Sequence, residues 1–366
     1  MRLKYCFSLM ILLVIVIFIS GCASQEIPTK TPSIIQPPPQ ELPEQPEIEP
    51  MQSQIQQPEI QEQTKKWRQL NVPCTGDFFD SHIHFDVLTE SNEYGHPIGS
   101  SLTPKELAKR MSEHKVGCGV LFVSAFDLNK QFDSMRESLS GLNVGFVPFF
   151  SLFNPSLSSI QAIYQGREGI FFGIGEIGFY EGPLVGTSLA EDPWPAIFEY
   201  AAKENLFLML HPTQEQADDL EKMLAQYPNT KVILHGYESL NSGKVENWLS
   251  SYKNLYWTYD LATMFDGYLY RVQNAEDFIM WYEANKKQYL SSVRDKLLPL
   301  LEAAPDRVMW GTDVVAAWHV EPEVYSRLME FSRELIDSLP AQYRTNYAHD
   351  NAQRIFNSGI IFEPFP

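Results

Sequence analysis

From Trp67 onward the chain alternates short apolar runs with amphipathic stretches. Eight of the runs have the length and composition of strands: Phe78 to His84, Gly119 to Ser124, Val144 to Leu152, Ile170 to Ile177, Leu206 to His211, Val232 to His235, Leu255 to Asp260 and Val308 to Asp313. Phe146-Val147-Pro148-Phe149-Phe150 and Leu206-Phe207-Leu208-Met209-Leu210 are apolar throughout, the pattern of strands covered on both faces. The stretches between the runs read as helices. Thr103 to Lys115 carries Pro104 at its first position, and Gln214 to Gln226 has Thr213 placed to cap it. Eight strand-helix units over residues 67–366 specify an α/β fold with a parallel sheet, and a (β/α)8 TIM barrel is the expected form. A doubly wound open sheet is the alternative.

A second regularity lies on the first. His82, His84, Glu176, His211, His235 and Asp313 stand at or near the carboxyl ends of these runs. Strand side chains alternate between faces, so His82 and His84 project the same way and can grip one ion. In a barrel the carboxyl ends of the strands gather into one site, so six residues distant in sequence converge. Singly, each has a plainer explanation. A lone histidine is often satisfied by backbone groups, and Asp313 could cap the next helix. Glu176 is harder to dismiss, because a carboxylate amid Phe171-Phe172-Gly173-Ile174-Gly175 is costly to bury without a cation or donors. Imidazole nitrogen and carboxylate oxygen suit zinc, manganese or iron, and zinc is the first expectation. A metal-dependent hydrolase follows as the expected function, with Asp313, Glu176 and His235 as catalytic residues and Asp313 as general base.

The order of paired histidines on the first strand, glutamate on the fourth, histidines on the fifth and sixth and aspartate on the eighth resembles the amidohydrolase superfamily. Asp80-Ser81-His82-Ile83-His84 and Gly175-Glu176-Ile177-Gly178 are similar to the TatD-like group. Trp310-Gly311-Thr312-Asp313 and Asn351-Ala352-Gln353-Arg354-Ile355-Phe356 look more like the amidohydrolase-related group, which includes decarboxylases. The resemblance implies one or two divalent ions, with His82, His84 and Asp313 holding one, His211 and His235 a second, and Glu176 bridging them. It implies hydrolysis of an ester, lactone, amide or phosphoester. The alternatives are a TatD-like deoxyribonuclease, a nonoxidative decarboxylase in which Glu176 is idle, and a non-catalytic ligand-binding lipoprotein on the same scaffold.

The first 21 residues read as a lipoprotein signal peptide: Arg2 and Lys4 precede an apolar run from Phe7 to Ile19, too short to span a bilayer comfortably. Ile19-Ser20-Gly21-Cys22 resembles a lipobox, which implies lipid attachment at Cys22. Residues 22–66, rich in Pro, Gln and Glu, cannot bury enough apolar surface to order themselves and read as a tether. The expected location is extracytoplasmic, on the membrane through the lipid anchor only.

A formal charge of −18 argues against nucleic acid as the partner, since such binding draws on Lys and Arg. A small organic substrate is expected instead. Phe179-Tyr180, Trp194, Tyr259-Asp260, Met264-Phe265 and Tyr268 to Tyr270 could roof an apolar pocket or simply pack the loops. His319 and His96 are candidate pocket residues, whereas His114 and His349 read as structural, the latter by helix capping. Cys74 and Cys118 precede the first two strands and stand where a disulfide could form.

Overall fold

The structure is a computed structural model that describes residues 67–85, 104–124, 136, 140, 143–180, 182–236, 242–272 and 274–364. The signal peptide, Cys22, the tether and His96 lie outside these residues. A strand absent from the sequence reading, β1 (Trp67–Val72), comes first. The eight expected strands follow: β2 (Phe78–Phe85), β3 (Val116–Ser124), β4 (Gly145–Ser151), β5 (Gly173–Gly178), β6 (Phe207–His211), β7 (Lys231–Leu234), β8 (Leu255–Asp260) and β9 (Val308–Gly311). A final strand, β10 (Gly359–Pro364), was also unforeseen. Helices α1 (Pro104–Glu113), α2 (Leu157–Tyr164), α3 (Trp194–Lys203), α4 (Ala217–Gln226) and α5 (Ser242–Ser251) lie between strands. They are joined by α6 (Leu261–Met264), α7 (Tyr268–Arg271), α8 (Ala275–Ala303), α9 (Pro322–Ser338), α10 (Ala341–Thr345) and α11 (Asn351–Phe356). Pro104 opens α1 as expected. Thr213 caps the turn leading into α4, its Oγ1 accepting from Glu215 N while Gln216 Oε1 accepts from Thr213 N at 3.0 Å.

Strands β2 to β9 pair in parallel in chain order. The ring closes through the residues just past β9: Ile83 bridges Val314, Asp313 N donates to His82 O at 2.8 Å, and His84 N donates to Val314 O at 3.0 Å. Asp80 clamps the same seam, its Oδ1 accepting from Thr312 N at 2.8 Å and its Oδ2 from Thr312 Oγ1 at 2.6 Å. The architecture is therefore the (β/α)8 barrel. β1 and β10 form an antiparallel ribbon attached to β4 through Ile360 and Phe146.

The strand period of two separates two cores. In β6, Leu208 and Leu210 face the helices, while Phe207 and Met209 face the barrel interior. Ile233 of β7 and Met309 of β9 face the same interior, alongside Phe79, Val120, Phe122, Val147 and Phe149. His211, His235 and Asp313 continue these inward registers beyond Met209, Ile233 and Met309. The site is thus the top layer of an apolar stack. β2 carries register shifts between Phe78 and Phe79 and between Asp80 and Ile83, and β5 one between Ile174 and Ile177; the second and third turn His82, His84 and Glu176 inward as well. Gly175 is required there: its φ is 137°, and a Cβ would stand 2.5 Å from Met209 O.

The foot of the barrel is sealed from outside the eight strands. A disulfide joins Cys74 to Cys118, and Gly145 and Gly359 pack so closely that a Cβ on either would come within 2.8 Å of Cys118 Sγ. His349 Nε2 lies 2.8 Å from Cys74 O, so this residue ties the ribbon side to the last helices and does not act as the simple cap foreseen. Phe356, at the end of α11, plugs the interior, its ring centroid 5.1 Å from Phe207, 5.7 Å from Phe79 and 6.1 Å from Phe149.

Replacing Phe356 by Ala removes the one ring that touches all three. A loss of about 3–5 kcal/mol is expected, as for a large aromatic taken from a packed core. Urea unfolding of both proteins measures it, and a loss under about 1 kcal/mol would mean the plug is dispensable.

Candidate metal centre

All six sequence-derived residues meet at the carboxyl end of the barrel, and Asp260 joins them. His82 and His84 bring their Nε2 atoms to 3.0 Å of each other. Glu176 Oε2 lies 3.4 Å from His82 Nε2 and 3.1 Å from His84 Nε2, and Asp313 Oδ1 lies 3.4 and 3.3 Å from the same two atoms. The other carboxylate oxygens turn to a second group. Glu176 Oε1 stands 2.7 Å from His211 Nδ1 and 3.5 Å from His235 Nε2, and Asp313 Oδ2 stands 3.6 Å from His235 Nε2. Glu176 and Asp313 therefore span the gap between two sets of nitrogens.

Asp313 reaches its place through backbone geometry. Its φ is 56°, in the left-handed region that aspartate enters more readily than most residues, and its N–H is held by His82 O. Its carboxyl consequently faces the histidines of β2 instead of capping the helix that follows.

These separations suit a divalent ion. Two ligand atoms about 2.05 Å from a metal stand about 2.9 Å apart at a right angle and about 3.3 Å apart at the tetrahedral angle. The 3.0 to 3.4 Å spacings among His82, His84, Glu176 and Asp313 match that range. A donor set of nitrogen and oxygen without thiolate fits zinc, manganese or iron. Three overlapping groups of donors occur here: His82, His84 and Glu176; Glu176, His211 and His235; and His82, His235, Asp260 and Asp313.

The electrostatics have one theme, buried carboxylates seeking positive charge. Burial works against a charged His82, yet Asp313, Asp260 and Glu176 outweigh it and raise its pKa well above the usual imidazole value. His84 is likewise opposed by burial and raised to about 9 by Asp313 and Glu176. Burial would raise Glu176, but His235, His211, His82 and His84 hold it well below the carboxylate range. Asp313 is lowered in spite of burial, mainly by His82. His211 is lowered, because its burial is only partly offset by Glu176. Without a metal, protons on His82 and His84 serve as the counter-charge.

Asp260 was read from sequence as the end of the Leu255 to Asp260 run and as part of an aromatic loop, and not as a site residue. It is the last residue of β8, is fully buried, and places Oδ2 3.0 Å from His82 Nδ1 and 2.5 Å from His235 Nδ1. The signal that found the other six, a ligand-type residue ending an apolar run, was present at Asp260 too. His319, foreseen as a candidate pocket residue, is instead engaged with its own loop. It is buried, its Nδ1 accepts from Val315 N and Ala316 N, and burial lowers its pKa to about 4, so it is a neutral staple for its loop. Among the loop residues, Phe179, Trp194, Tyr259, Met264 and Phe265 are buried in the outer core, and Tyr268 stacks on Trp281 at 4.0 Å. Tyr180 is the exception: it is 50% exposed and lies over His211 with ring centroids 4.4 Å apart. With the His84 side chain 28% exposed, the centre opens on the His84, His211 and Tyr180 side.

A family model described as amidohydrolase matches residues 129–357, more than half of the chain. Glu176, His211, His235, Asp260 and Asp313 fall inside the match, and His82 and His84 precede it. Among solved structures, the chain is similar to a probable 2-pyrone-4,6-dicarboxylic acid hydrolase from Acinetobacter baumannii with citric acid bound, at TM-score 0.55 and 12% identity, covering 77% of this chain and 99% of that one. It is also similar to an amidohydrolase from Burkholderia multivorans, with bound HEPES at TM-score 0.51 and 15% identity and with bound zinc at TM-score 0.51 and 14% identity. Both of these cover 77% of this chain and 99% of the other. At such identities the likeness is one of fold. No curated protein matches the sequence closely.

The raised pKa of His84 fixes the direction of a pH effect. Its folded value, about 9, lies above the unfolded value near 6.5, so in the metal-free chain its contribution to stability is full below the lower value and is lost as pH rises through the higher. An incoming ion displaces the same proton. Zinc titration calorimetry near pH 7, in buffers of different ionisation enthalpy, should register net proton release that shrinks as pH approaches 9. Zinc uptake without proton release at neutral pH would contradict this charge balance.

Proposed function

This chain belongs to the amidohydrolase family, and we propose that it is a metal-dependent hydrolase cleaving an ester, lactone, amide or phosphoester bond in a small organic substrate. The observation that carries the reading is the approach of both oxygens of Glu176 and both oxygens of Asp313 to within 3.6 Å of histidine nitrogens on β2, on β6 and just past β7. His82, His84, Glu176 and Asp313 would hold one ion, and His211 and His235, with the remaining oxygens of Glu176 and Asp313, a second. Zinc is the first choice, manganese or iron the alternatives. A divalent ion at this position supplies Lewis acidity, bringing the pKa of water to roughly 7 and polarising the scissile carbonyl or phosphoryl oxygen.

The chain's own residues supply the rest. Asp313 takes the proton from the attacking water and returns it to the leaving oxygen or nitrogen. His235, buried with Nε2 3.6 Å from Asp313 Oδ2 and 3.5 Å from Glu176 Oε1, would share an ion with both carboxylates and so hold the base beside the water. Glu176 holds the two nitrogen groups in register. Its contacts with all four histidines favour hydrolysis over a decarboxylation in which this residue has no task. Substrate enters over His84 and His211, where Tyr180 offers an aromatic face. The acidic balance of the chain favours a small molecule over deoxyribonucleic acid.

We place this chemistry in the cell envelope, with residues 1–21 as the signal peptide, Cys22 lipidated and residues 22–66 as a tether. The Cys74–Cys118 disulfide supports that placement, because such bonds persist in oxidising compartments.

A screen of esters, lactones, N-acyl compounds, phosphoesters and single-stranded DNA with the zinc- or manganese-loaded chain identifies the bond cleaved. On the best substrate, Asp313→Asn is expected to lower kcat by roughly 10²–10⁴-fold, the usual contribution of a positioned acid-base group. Near-normal turnover in that variant would remove Asp313 as the base.

A further inference from the structure

Asp260 contacts a histidine from each nitrogen group through a single oxygen. Oδ2 lies 3.0 Å from His82 Nδ1 and 2.5 Å from His235 Nδ1, and the two rings meet nearly at right angles with centroids 4.0 Å apart. The other oxygen, Oδ1, accepts from Thr263 N at 2.8 Å and so caps α6, which fixes the carboxylate plane. All of these groups are buried.

From this geometry we infer that Asp260 is a positioning residue that sets the tautomer of His82 and His235 together and thereby couples the two halves of the metal centre. The inference rests on the metal-centre reading above. An ionised carboxylate can only accept, so each ring must present Nδ1–H to Oδ2. Each neutral ring then keeps its lone pair on Nε2, the atom facing Glu176 and Asp313. His82 belongs to the first nitrogen group and His235 to the second. One oxygen therefore readies a ligand in each, whereas separate partners for the two rings would let the halves assemble independently.

Asparagine exposes this arrangement, because it has one acceptor oxygen where aspartate has two. If that oxygen caps α6, the amide N–H group faces both rings and favours the tautomer that carries hydrogen on Nε2. The reverse orientation would set the amide N–H group against the Thr263 N–H, donor against donor, so the oxygen is expected to keep the cap. Zinc stoichiometry and affinity are measured on the full chain and on Asp260→Asn by competition with a chromophoric chelator. Roughly 10–100-fold weaker binding of both ions is expected in the variant. Wild-type affinity for both, or a loss confined to one, would overturn the coupling. If the unaltered chain takes up no zinc, the metal-centre reading itself fails. Nitrogen-15 chemical shifts of the histidine rings in the unaltered, zinc-loaded protein, where the rings are neutral, do not depend on how the variant folds. Protonated Nδ1 on both His82 and His235 is expected, and an unprotonated Nδ1 on either would refute the inference.

Discussion

Three buried carboxylates, those of Glu176, Asp260 and Asp313, share one small volume at the end of an apolar barrel, and the rest of the structure answers to that concentration of charge. Ionised carboxylates removed from water are stable only beside compensating positive charge and hydrogen-bond donors. Four histidines provide the donors, and the raised pKa values of His82 and His84 record how strongly the carboxylates demand a cation. Protons meet that demand incompletely, because each places a single positive charge on one ring. A divalent ion meets it at a single point and relieves the close approach of His82 Nε2 to His84 Nε2 as well.

The barrel makes such a cluster tolerable by building it on rigid layers. Phe207 and Met209 lie under His211, Ile233 under His235, and Met309 under Asp313, so each donor is the last inward residue of a packed strand. Register shifts in β2 and β5 correct the strands that would otherwise point donors away, and the left-handed backbone at Asp313 aims its carboxyl at the histidines of β2. The seam between β2 and β9 is held by Asp80 and Thr312, next to His82 and Asp313, so closure of the barrel and alignment of these ligands depend on the same few bonds. At the opposite end Phe356, the Cys74–Cys118 disulfide and the β1–β10 ribbon close the stack.

The barrel was legible in the sequence because every one of its strands is an apolar run bounded by a helix pattern. His82, His84, Glu176, His211, His235 and Asp313 were legible because they end such runs, and strand ends are where a barrel gathers its chemistry. Asp260 obeyed the same rule, but its neighbours Tyr259, Met264 and Phe265 suggested a substrate-facing loop. Burial decided otherwise, and those aromatics pack the outer core. β1 and β10 were missed because Trp-Arg-Gln-Leu-Asn-Val has no clean alternation and each strand gains its partner only through a contact almost three hundred positions away. His319 could not be resolved from sequence, since the backbone groups that satisfy it lie in its own loop and in α7.

The most direct test of the centre is X-ray absorption spectroscopy at the zinc edge of the protein loaded to saturation. The account predicts a shell of nitrogen and oxygen at about 2.0–2.1 Å, with outer scattering from imidazole rings and no sulfur. A sulfur shell near 2.3 Å, or a folded protein that retains no zinc under metal-replete conditions, would contradict it.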